Sequence, residues 1–201
     1  MRLRSILNNP RTYRAFTNLL PGGRSCRRQF VDEYVQAIEG DRILDIGCGT
    51  GDIVEYLPPC QYVGFDLNED YIADATRRYG HRGAFVCAEV TKFSFADTAP
   101  FDIVLGVGIL HHLDDVQGGD FFKLAKSLLK PGGRLVTLDG LFWDGQSWLE
   151  HFIMTRDRGQ FIRTRKQYIS LAARVFSKVK ADVRHDLLKI PYTYMIMNCS
   201  T

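Results

Sequence analysis

The strongest signal in the sequence is Ile43-Leu-Asp-Ile-Gly-Cys-Gly-Thr-Gly-Asp52. An apolar run of β-strand character leads directly into Gly47, Gly49 and Gly51. Because glycine has no Cβ, the backbone can turn sharply there and approach a ligand closely. A helix is expected to follow and to offer its free N–H groups. In open α/β sheets ligands bind where such strands end, so the stretch predicts a ligand site, with a tight turn as the alternative.

Short β-rich runs alternate with helical patterns along the chain. That alternation predicts βαβ units and therefore a parallel sheet. Near the end of the chain, two more strand patterns lie on either side of a turn at Pro191, and this short connection implies an antiparallel pair at one edge. The expected strands are Arg42–Ile46, Gln61–Asp66, Gly83–Cys87, Phe101–Gly106, Arg134–Asp139, Val179–Arg184 and Tyr192–Asn198, and the expected helices are Ser25–Glu39, Asp70–Arg78, Gln117–Leu129 and Arg165–Phe176.

Length and composition limit the function classes. The chain has 201 residues, of which 45% are hydrophobic and 24% charged, and its net charge is +3. These values are ordinary for a soluble domain, and the weak charge gives no reason to expect a nucleic-acid partner. Five dispersed cysteines without a C-x-x-C pair indicate reduced thiols in a cytoplasm. No apolar run suits a signal peptide or reaches the roughly 18 residues of a membrane span.

Spacing and charge separate the two cofactors that bind such loops. A dinucleotide fingerprint reads G-x-G-x-x-G, whereas this loop reads G-x-G-x-G. Asp45 and Asp52 stand on either side, and their carboxylates would repel a diphosphate but attract an ammonium or a sulfonium. An unpaired carboxylate in an apolar strand end is costly, which favours a functional role for Asp45. Asp52 is equally well explained as compensation for helix N-terminal charge.

Two further acids follow the next strands. Asp66 ends the second strand, 15 residues after Gly51, where a carboxylate can accept hydrogen bonds from a ribose diol. The alternative for Asp66 is a helix N-cap, since a helix is expected to open directly after it. Glu89 follows the third strand, where it could face an adenine amino group, and a solvated loop acid is the alternative.

Four stretches in order resemble the class I methyltransferase family, of the compact kind grouped with ubiquinone-type methylases. They are Leu44-Asp-Ile-Gly-Cys-Gly-Thr-Gly51, Val63-Gly-Phe-Asp66, Phe101-Asp-Ile-Val-Leu-Gly-Val-Gly-Ile-Leu-His-His-Leu113 and Leu129-Lys-Pro-Gly-Gly-Arg-Leu135. The resemblance implies a Rossmann-like three-layer α/β/α sandwich. Its seven-stranded, mostly parallel sheet would have an antiparallel last strand, and its cofactor would be S-adenosyl-L-methionine, released as S-adenosyl-L-homocysteine.

Carried over by position, the resemblance implies a set of cofactor contacts. The methionine end would lie among the residues of the glycine loop, and Gly106 would pass its backbone near the amino acid group. Asp66 would bind the ribose hydroxyls, with Leu67 against the adenine and Glu89 and Val90 at the adenine edge. Glu89 stands where many relatives carry Asp, and its longer side chain should still reach. The expected cofactor-binding residues are Asp45, Gly47, Cys48, Gly49, Gly51, Asp66, Leu67, Glu89, Val90 and Gly106.

Histidines are the candidates for catalysis. Methyl transfer from a sulfonium needs little acid–base help when positioning supplies much of the acceleration. A hydroxyl or amine acceptor gains from a general base, a role that suits histidine near neutral pH. His111 and His112 follow the fourth strand and are the candidate catalytic residues, with packing and loop capping as the alternative. His151 and His185 are further candidates, for which a surface or core position is the ordinary interpretation.

The segments before the first strand and after Asp139 match no motif of the family, and such segments usually select the acceptor. Tyr13 and Phe16 could cover the cofactor or pack on the core. An apolar group after the fifth strand could wall an acceptor pocket or form a core stripe. A basic stretch beside it indicates an anionic acceptor, with a solvated helix face as the alternative. The apolar group comprises Trp143, Trp148, Phe152 and Met154, and the basic stretch comprises Arg156, Arg158, Arg163, Arg165 and Lys166.

One domain is expected across residues 1–201, with a helical cap over 1–40, a cofactor-binding core over 41–140, and acceptor-side helices with a hairpin over 141–201. The predicted function is cytoplasmic methyl transfer to a small-molecule or lipid- or sugar-linked acceptor, by a monomer or homodimer. No metal is expected, because Gly106 replaces the first acid of metal-dependent catechol methylases and no His/Cys cluster has zinc spacing. An NAD(P)-dependent oxidoreductase and a non-catalytic cofactor-binding module are the rival hypotheses.

Overall fold

A mostly parallel sheet organises the computed structural model, which describes residues 22–89, 99–156 and 159–201. Within these ranges seven strands pair in the order β3-β2-β1-β4-β5-β8-β7, and a two-residue strand, β6, pairs with the end of β5. The strands are β1 (Arg42–Ile46), β2 (Gln61–Asp66), β3 (Gly83–Cys87), β4 (Phe101–Val107), β5 (Leu129–Phe142), β6 (Arg163–Thr164), β7 (Lys178–Arg184) and β8 (Tyr194–Ser200).

The strand directions confirm the expected Rossmann-like topology. The last strand, β8, runs antiparallel to both of its neighbours, β5 and β7, whereas the pairings among β1 to β5 are parallel. The strand β1 lies in the middle of the sheet, between β2 and β4. Its apolar residues Ile43, Leu44 and Ile46 are each at most 2% exposed, as expected for a strand that is covered on both faces. The carboxyl ends of β1, β2 and β4 therefore meet at one edge of the sheet.

Helices cover both faces of the sheet and produce three layers. One core cluster contains residues of α1, α2 and α4, and the other contains residues of α3 and α5. The helices are α1 (Gly23–Phe30), which continues as a π-helical turn over Val31–Val35, α2 (Glu69–Tyr79), α3 (Asp115–Leu128), α4 (Trp148–Thr155) and α5 (Arg165–Ala173). None of these described helices is long and apolar enough to cross a lipid bilayer.

Two expected helices are shorter in the structure. The helix after the glycine loop is a 3-10 helix of only five residues, Asp52–Tyr56, and the helix expected over Ser25–Glu39 ends at Val35. The 3-10 helix ends at Leu57, whose backbone is extended (φ −79°, ψ 148°). Two prolines follow Leu57, and a residue before proline is driven out of the helical region by the proline ring.

Candidate functional site

The glycine loop is fastened to the neighbouring strand by its backbone. The N–H groups of Gly47 and Cys48 both donate to the carbonyl oxygen of Phe65, at 2.8 and 2.9 Å. Gly47, Gly49 and Gly51 have φ values of 78°, 54° and 68°, the left-handed region that residues with a Cβ rarely adopt. These bonds and dihedrals hold the loop across the carboxyl ends of β1 and β2.

The three glycines differ in what lies beside them. A Cβ on Gly47 would lie 2.8 Å from Cδ1 of Ile109, and one on Gly51 would lie 2.7 Å from Cε1 of Phe85. Nothing lies within 4 Å of the position of a Cβ on Gly49. Gly47 and Gly51 are therefore required for packing, whereas Gly49 borders open space.

Asp45 is a buried carboxyl group with an unused oxygen. It is 2% exposed, and its Oδ2 accepts a hydrogen bond of 2.6 Å from the hydroxyl of Tyr62. Its Oδ1 has no hydrogen-bond partner among the described residues. Burial raises the pKa of Asp45 to about 6, against the hydrogen bond from Tyr62, which lowers it. The group is thus suited to a buried cationic ligand, which would favour its ionised form.

Asp52 has a different environment from Asp45. Its Oδ1 accepts from Nη1 of Arg78 at 2.6 Å, and its Oδ2 accepts from the hydroxyl of Thr50 at 2.7 Å. Arg78 therefore balances the charge that was expected to repel a diphosphate. The charge argument for a cationic cofactor consequently depends on Asp45.

Asp66 connects the loop to the second strand. Its Oδ2 accepts from the N–H of Gly49 at 2.9 Å, and its Oδ1 accepts from the N–H of Asn68 at 2.9 Å. Asn68, and not Asp66, caps α2, since its side chain accepts from the N–H groups of Asp70 and Tyr71. Each carboxylate oxygen can accept a second hydrogen bond, so Asp66 retains capacity for a diol.

A cavity of about 110 Å³ lies between this loop and α1. Cys48 is one of its lining residues, and burial raises the pKa of the Cys48 thiol well above its usual value, so the thiol is uncharged there. From α1 the cavity is lined by Cys26, Arg27 and Phe30. Its other lining residues are Asp45, Gly47, Gly49, Thr50, Asp52, Ile53, Val107 and Leu138.

Residues 43–133 match the family described as "Methyltransferase domain". The ubiquinone biosynthesis O-methyltransferase of Idiomarina loihiensis is 27% identical over 128 residues, which cover 61% of this chain and 51% of the relative. The fatty-acid O-methyltransferase of Mycolicibacterium smegmatis is 36% identical over 107 residues, 51% of this chain and 38% of the relative. The N-methyltransferase NodS from Bradyrhizobium japonicum, solved with S-adenosylhomocysteine, superimposes with a TM-score of 0.73 at 18% identity, over 98% of this chain and 95% of that chain.

The family match spans residues 43–133, slightly less than half of the chain, and together with the relatives it supports a class I S-adenosylmethionine-dependent methyltransferase. S-adenosylmethionine is the cofactor of this family. The residues of the cavity fit such a ligand, because an ammonium needs a buried acceptor and Oδ1 of Asp45 is one. The chain spans about half the length, or less, of the two curated relatives described above.

Leu67, Glu89 and Gly106 are the remaining expected cofactor residues within the described ranges. Leu67 is 71% exposed, and Glu89 is exposed at the end of β3. Val90 lies outside the described residues. Gly106 is buried, and a Cβ on it would lie 2.6 Å from Cζ of Phe121; its neighbour Val107 is the residue of β4 that lines the cavity.

The two candidate catalytic histidines differ in burial. His111 is 7% exposed, and its Nδ1 lies 2.8 Å from Oδ1 of Asp139. Its N–H donates to the same oxygen at 3.2 Å. Burial raises the pKa of Asp139, and the hydrogen bonds from His111 oppose that rise. His112 is exposed, with its ring 4.2 Å from that of His111.

Arg163 holds the turn that carries both histidines, a role with no signal in the sequence. Its guanidinium is buried and donates to the carbonyl oxygens of Leu110, Leu113 and Phe161 at 2.9, 2.7 and 3.1 Å. It also pairs with Asp115. This arginine of the basic stretch is therefore structural and unavailable to an anionic acceptor.

A groove of about 820 Å³ lies beyond the end of β5. Arg165 and Lys166 lie on its wall, whereas Met154 is fully buried in the core and Trp148 and Phe152 are exposed on α4. Tyr13, Phe16 and Arg158 lie outside the described residues. The lining residues are Leu141, Phe142, Trp143, Asp144, Thr164, Arg165, Lys166, Ile169, Ser170 and Val183.

Proposed function

We propose that this chain binds S-adenosylmethionine and catalyses transfer of its methyl group to a small molecule that has an apolar body and an anionic group. The observation that carries the proposal is the buried, unused Oδ1 of Asp45 beside a cavity bounded by the glycine loop. An uncompensated buried carboxylate is costly, and the ammonium of the cofactor would offset that cost.

The cofactor would lie along the carboxyl edge of the sheet. A cavity of about 110 Å³ is smaller than the roughly 300 Å³ of typical ligand pockets, so it suits only the amino acid end. The backbone of Gly47, Gly49 and Gly106 would border that end, with Cys48 and Gly51 supporting the loop. The adenosine would extend over the open side of the loop, where Gly49 borders open space.

Asp66 would then receive the ribose hydroxyls through its second acceptor positions. Leu67, already exposed, would lie against the adenine, and Glu89 and Val90 would contact the adenine edge. The bound cofactor supplies an electrophilic methyl group on a sulfonium. The chain would orient it, exclude water from it and position the acceptor, and orientation of this kind supplies much of the rate acceleration in displacement reactions.

The groove beyond β5 is the proposed acceptor site. Phe142 and Trp143 offer apolar surface, and Arg165 and Lys166 offer charge for a carboxylate or phosphate. Three relatives are named as a ubiquinone biosynthesis O-methyltransferase, a fatty-acid O-methyltransferase and a 27-O-demethylrifamycin SV methyltransferase, and these names favour an acceptor with an apolar body. Within this scheme His111, bound to Asp139, positions the loop after β4, and a catalytic role for the exposed His112 on that loop stays a prediction.

Transfer of label from methyl-labelled S-adenosylmethionine tests the proposal. The protein is incubated with fractions of a metabolite extract, and a labelled organic anion is the expected product. Arg165→Gln/Lys166→Gln should raise the KM for that acceptor and leave S-adenosylhomocysteine binding unchanged. If the cofactor binds but no fraction is labelled, the chain is a binding module instead.

A further inference from the structure

A chain of hydrogen bonds links a buried carboxyl group to an exposed histidine on the acceptor side. Glu150 of α4 is 7% exposed and Thr193, just before β8, is fully buried. The hydroxyl of Thr193 is hydrogen-bonded to Oε1 of Glu150. Nδ1 of His185, which directly follows β7, lies 2.9 Å from the same hydroxyl oxygen. Nothing in the methyltransferase site described above uses these three groups.

The chemistry of the three groups determines which of them donates in each hydrogen bond. A carboxylate only accepts hydrogen bonds, so the hydroxyl proton of Thr193 is donated to Glu150. The oxygen of Thr193 is then free to accept, and Nδ1 of His185 must carry the proton that it donates. The imidazole is thereby held as the tautomer whose Nε2 has a lone pair, which is the arrangement of a base oriented by a partner.

The three hydrogen-bonded residues lie near the proposed acceptor groove, and the loop that carries His185 packs into the same core cluster as α1. The ring of His185 lies 4.7 Å from that of Trp143, which lines the groove and whose Nε1 is 3.4 Å from Oε1 of Glu150. The loop between β7 and β8 also buries Leu187 in the core cluster that contains Cys26 and Phe30, residues of α1 that line the cofactor cavity.

We propose that Glu150, Thr193 and His185 form a proton relay in which His185 is the general base for a hydroxyl acceptor in the groove. The inference rests on the proposed function. As the acceptor oxygen bonds to the methyl carbon, the carbon–sulfur bond breaks with its electron pair going to sulfur, and the hydroxyl proton goes to Nε2. Thr193 and Glu150 are positioning residues, which stabilise the resulting imidazolium without touching the acceptor.

Imidazole NMR tests the relay without an acceptor. The full chain, labelled with 15N in its five histidines and saturated with S-adenosylhomocysteine, should show His185 as the Nδ1–H tautomer. His185→Gln assigns the signal by its loss. Thr193→Val should abolish the tautomer preference, and Thr193→Ser, which keeps the hydroxyl, should restore it. An Nε2–H tautomer in the wild-type protein, or a preference unchanged in Thr193→Val, would overturn the relay.

Methyl transfer to 3,4-dihydroxybenzoate, an anionic phenol, tests the base. His185→Gln should lower kcat by at least about 100-fold, the usual contribution of a general base. Thr193→Val should also lower kcat, whereas Thr193→Ser should retain most of the activity. His81→Gln, an exposed histidine in the turn after α2, is the matched control. Unchanged kcat in His185→Gln would refute the role of the base.

Calorimetry separates this inference from the proposed function. All variants should bind S-adenosylhomocysteine as the wild-type protein does, because the relay is distinct from the glycine loop. Failure of the wild-type protein to bind it would refute the proposed function. If the wild-type protein binds S-adenosylhomocysteine but does not methylate the phenol, anionic phenols are not its acceptors. The tautomer of His185 measured by NMR then decides whether the relay exists.

Discussion

A carboxyl group that is shut away from water loses hydration energy when it ionises, and Asp45 is such a group. Burial raises the pKa of Asp45 from 3.8 to about 6. At pH values between these two, the folded protein therefore still holds a proton on Asp45 that the unfolded chain has already released. Asp45 should therefore lower the stability of the ligand-free protein progressively as the pH rises through that window. The difference of about two pH units corresponds to roughly 3 kcal/mol.

Urea unfolding of wild-type protein and Asp45→Asn at about pH 4 and pH 7 measures this effect at the residue scale. The wild-type protein should lose up to about 3 kcal/mol relative to the variant over this range. Asp182→Asn, at an exposed carboxyl group in β7, is the matched control. If the free energy of unfolding changes with pH equally in the wild-type protein and in Asp45→Asn, the pKa of Asp45 is not raised by burial.

Gly49 and Gly51 provide a second test at single residues. Both have positive φ, so alanine at either costs about 1–2 kcal/mol in backbone strain. Gly51→Ala must also displace the Phe85 ring and should cost about 1–3 kcal/mol more, whereas Gly49→Ala projects into open space. In thermal unfolding and calorimetry, Gly49→Ala should fold with reduced S-adenosylhomocysteine affinity. Undiminished affinity in Gly49→Ala would place the ligand elsewhere.

Among the elements, the 3-10 turn Leu110–His112 depends on contacts from a distant segment. Arg163→Met removes the donors to three carbonyl groups, and stranding even one buried acceptor costs about 1–3 kcal/mol. Chemical denaturation should report at least that loss, and Arg165→Met, an exposed neighbour, should change stability by no more than about 0.5 kcal/mol. Equal effects of the two substitutions would contradict the assigned role.

Elements whose limits depend on local patterns were predictable. The strands β1, β2 and β3 begin and end at the predicted residues because short apolar runs there are bounded by turn-forming residues. The helix expected after the glycine loop is a 3-10 helix of five residues, and Pro58 and Pro59 are the sequence signal for its early end. The two-residue β6 has too little sequence to carry a pattern.

At the scale of the whole molecule, the proposed cofactor side of the site depends on local sequence patterns, and the proposed acceptor side depends on contacts that only the fold creates. On the proposed cofactor side, the glycine loop and Asp66 lie at the ends of single strands, so adjacent residues were enough to propose them. The proposed acceptor side depends on contacts between residues far apart in sequence, such as Thr193 with Glu150 and Arg163 with Leu110. No spacing rule relates such residues, because folding alone brings them together.

Calorimetric titration with S-adenosylhomocysteine and, separately, with NADH tests which cofactor the glycine loop and Asp66 bind. The wild-type protein should bind S-adenosylhomocysteine and not NADH. Asp66→Ala should weaken that binding by roughly 1–3 kcal/mol, because the ribose hydroxyls lose their acceptor. Tight binding of NADH alone, or equal affinity of folded Asp66→Ala and wild-type protein for S-adenosylhomocysteine, would contradict the account.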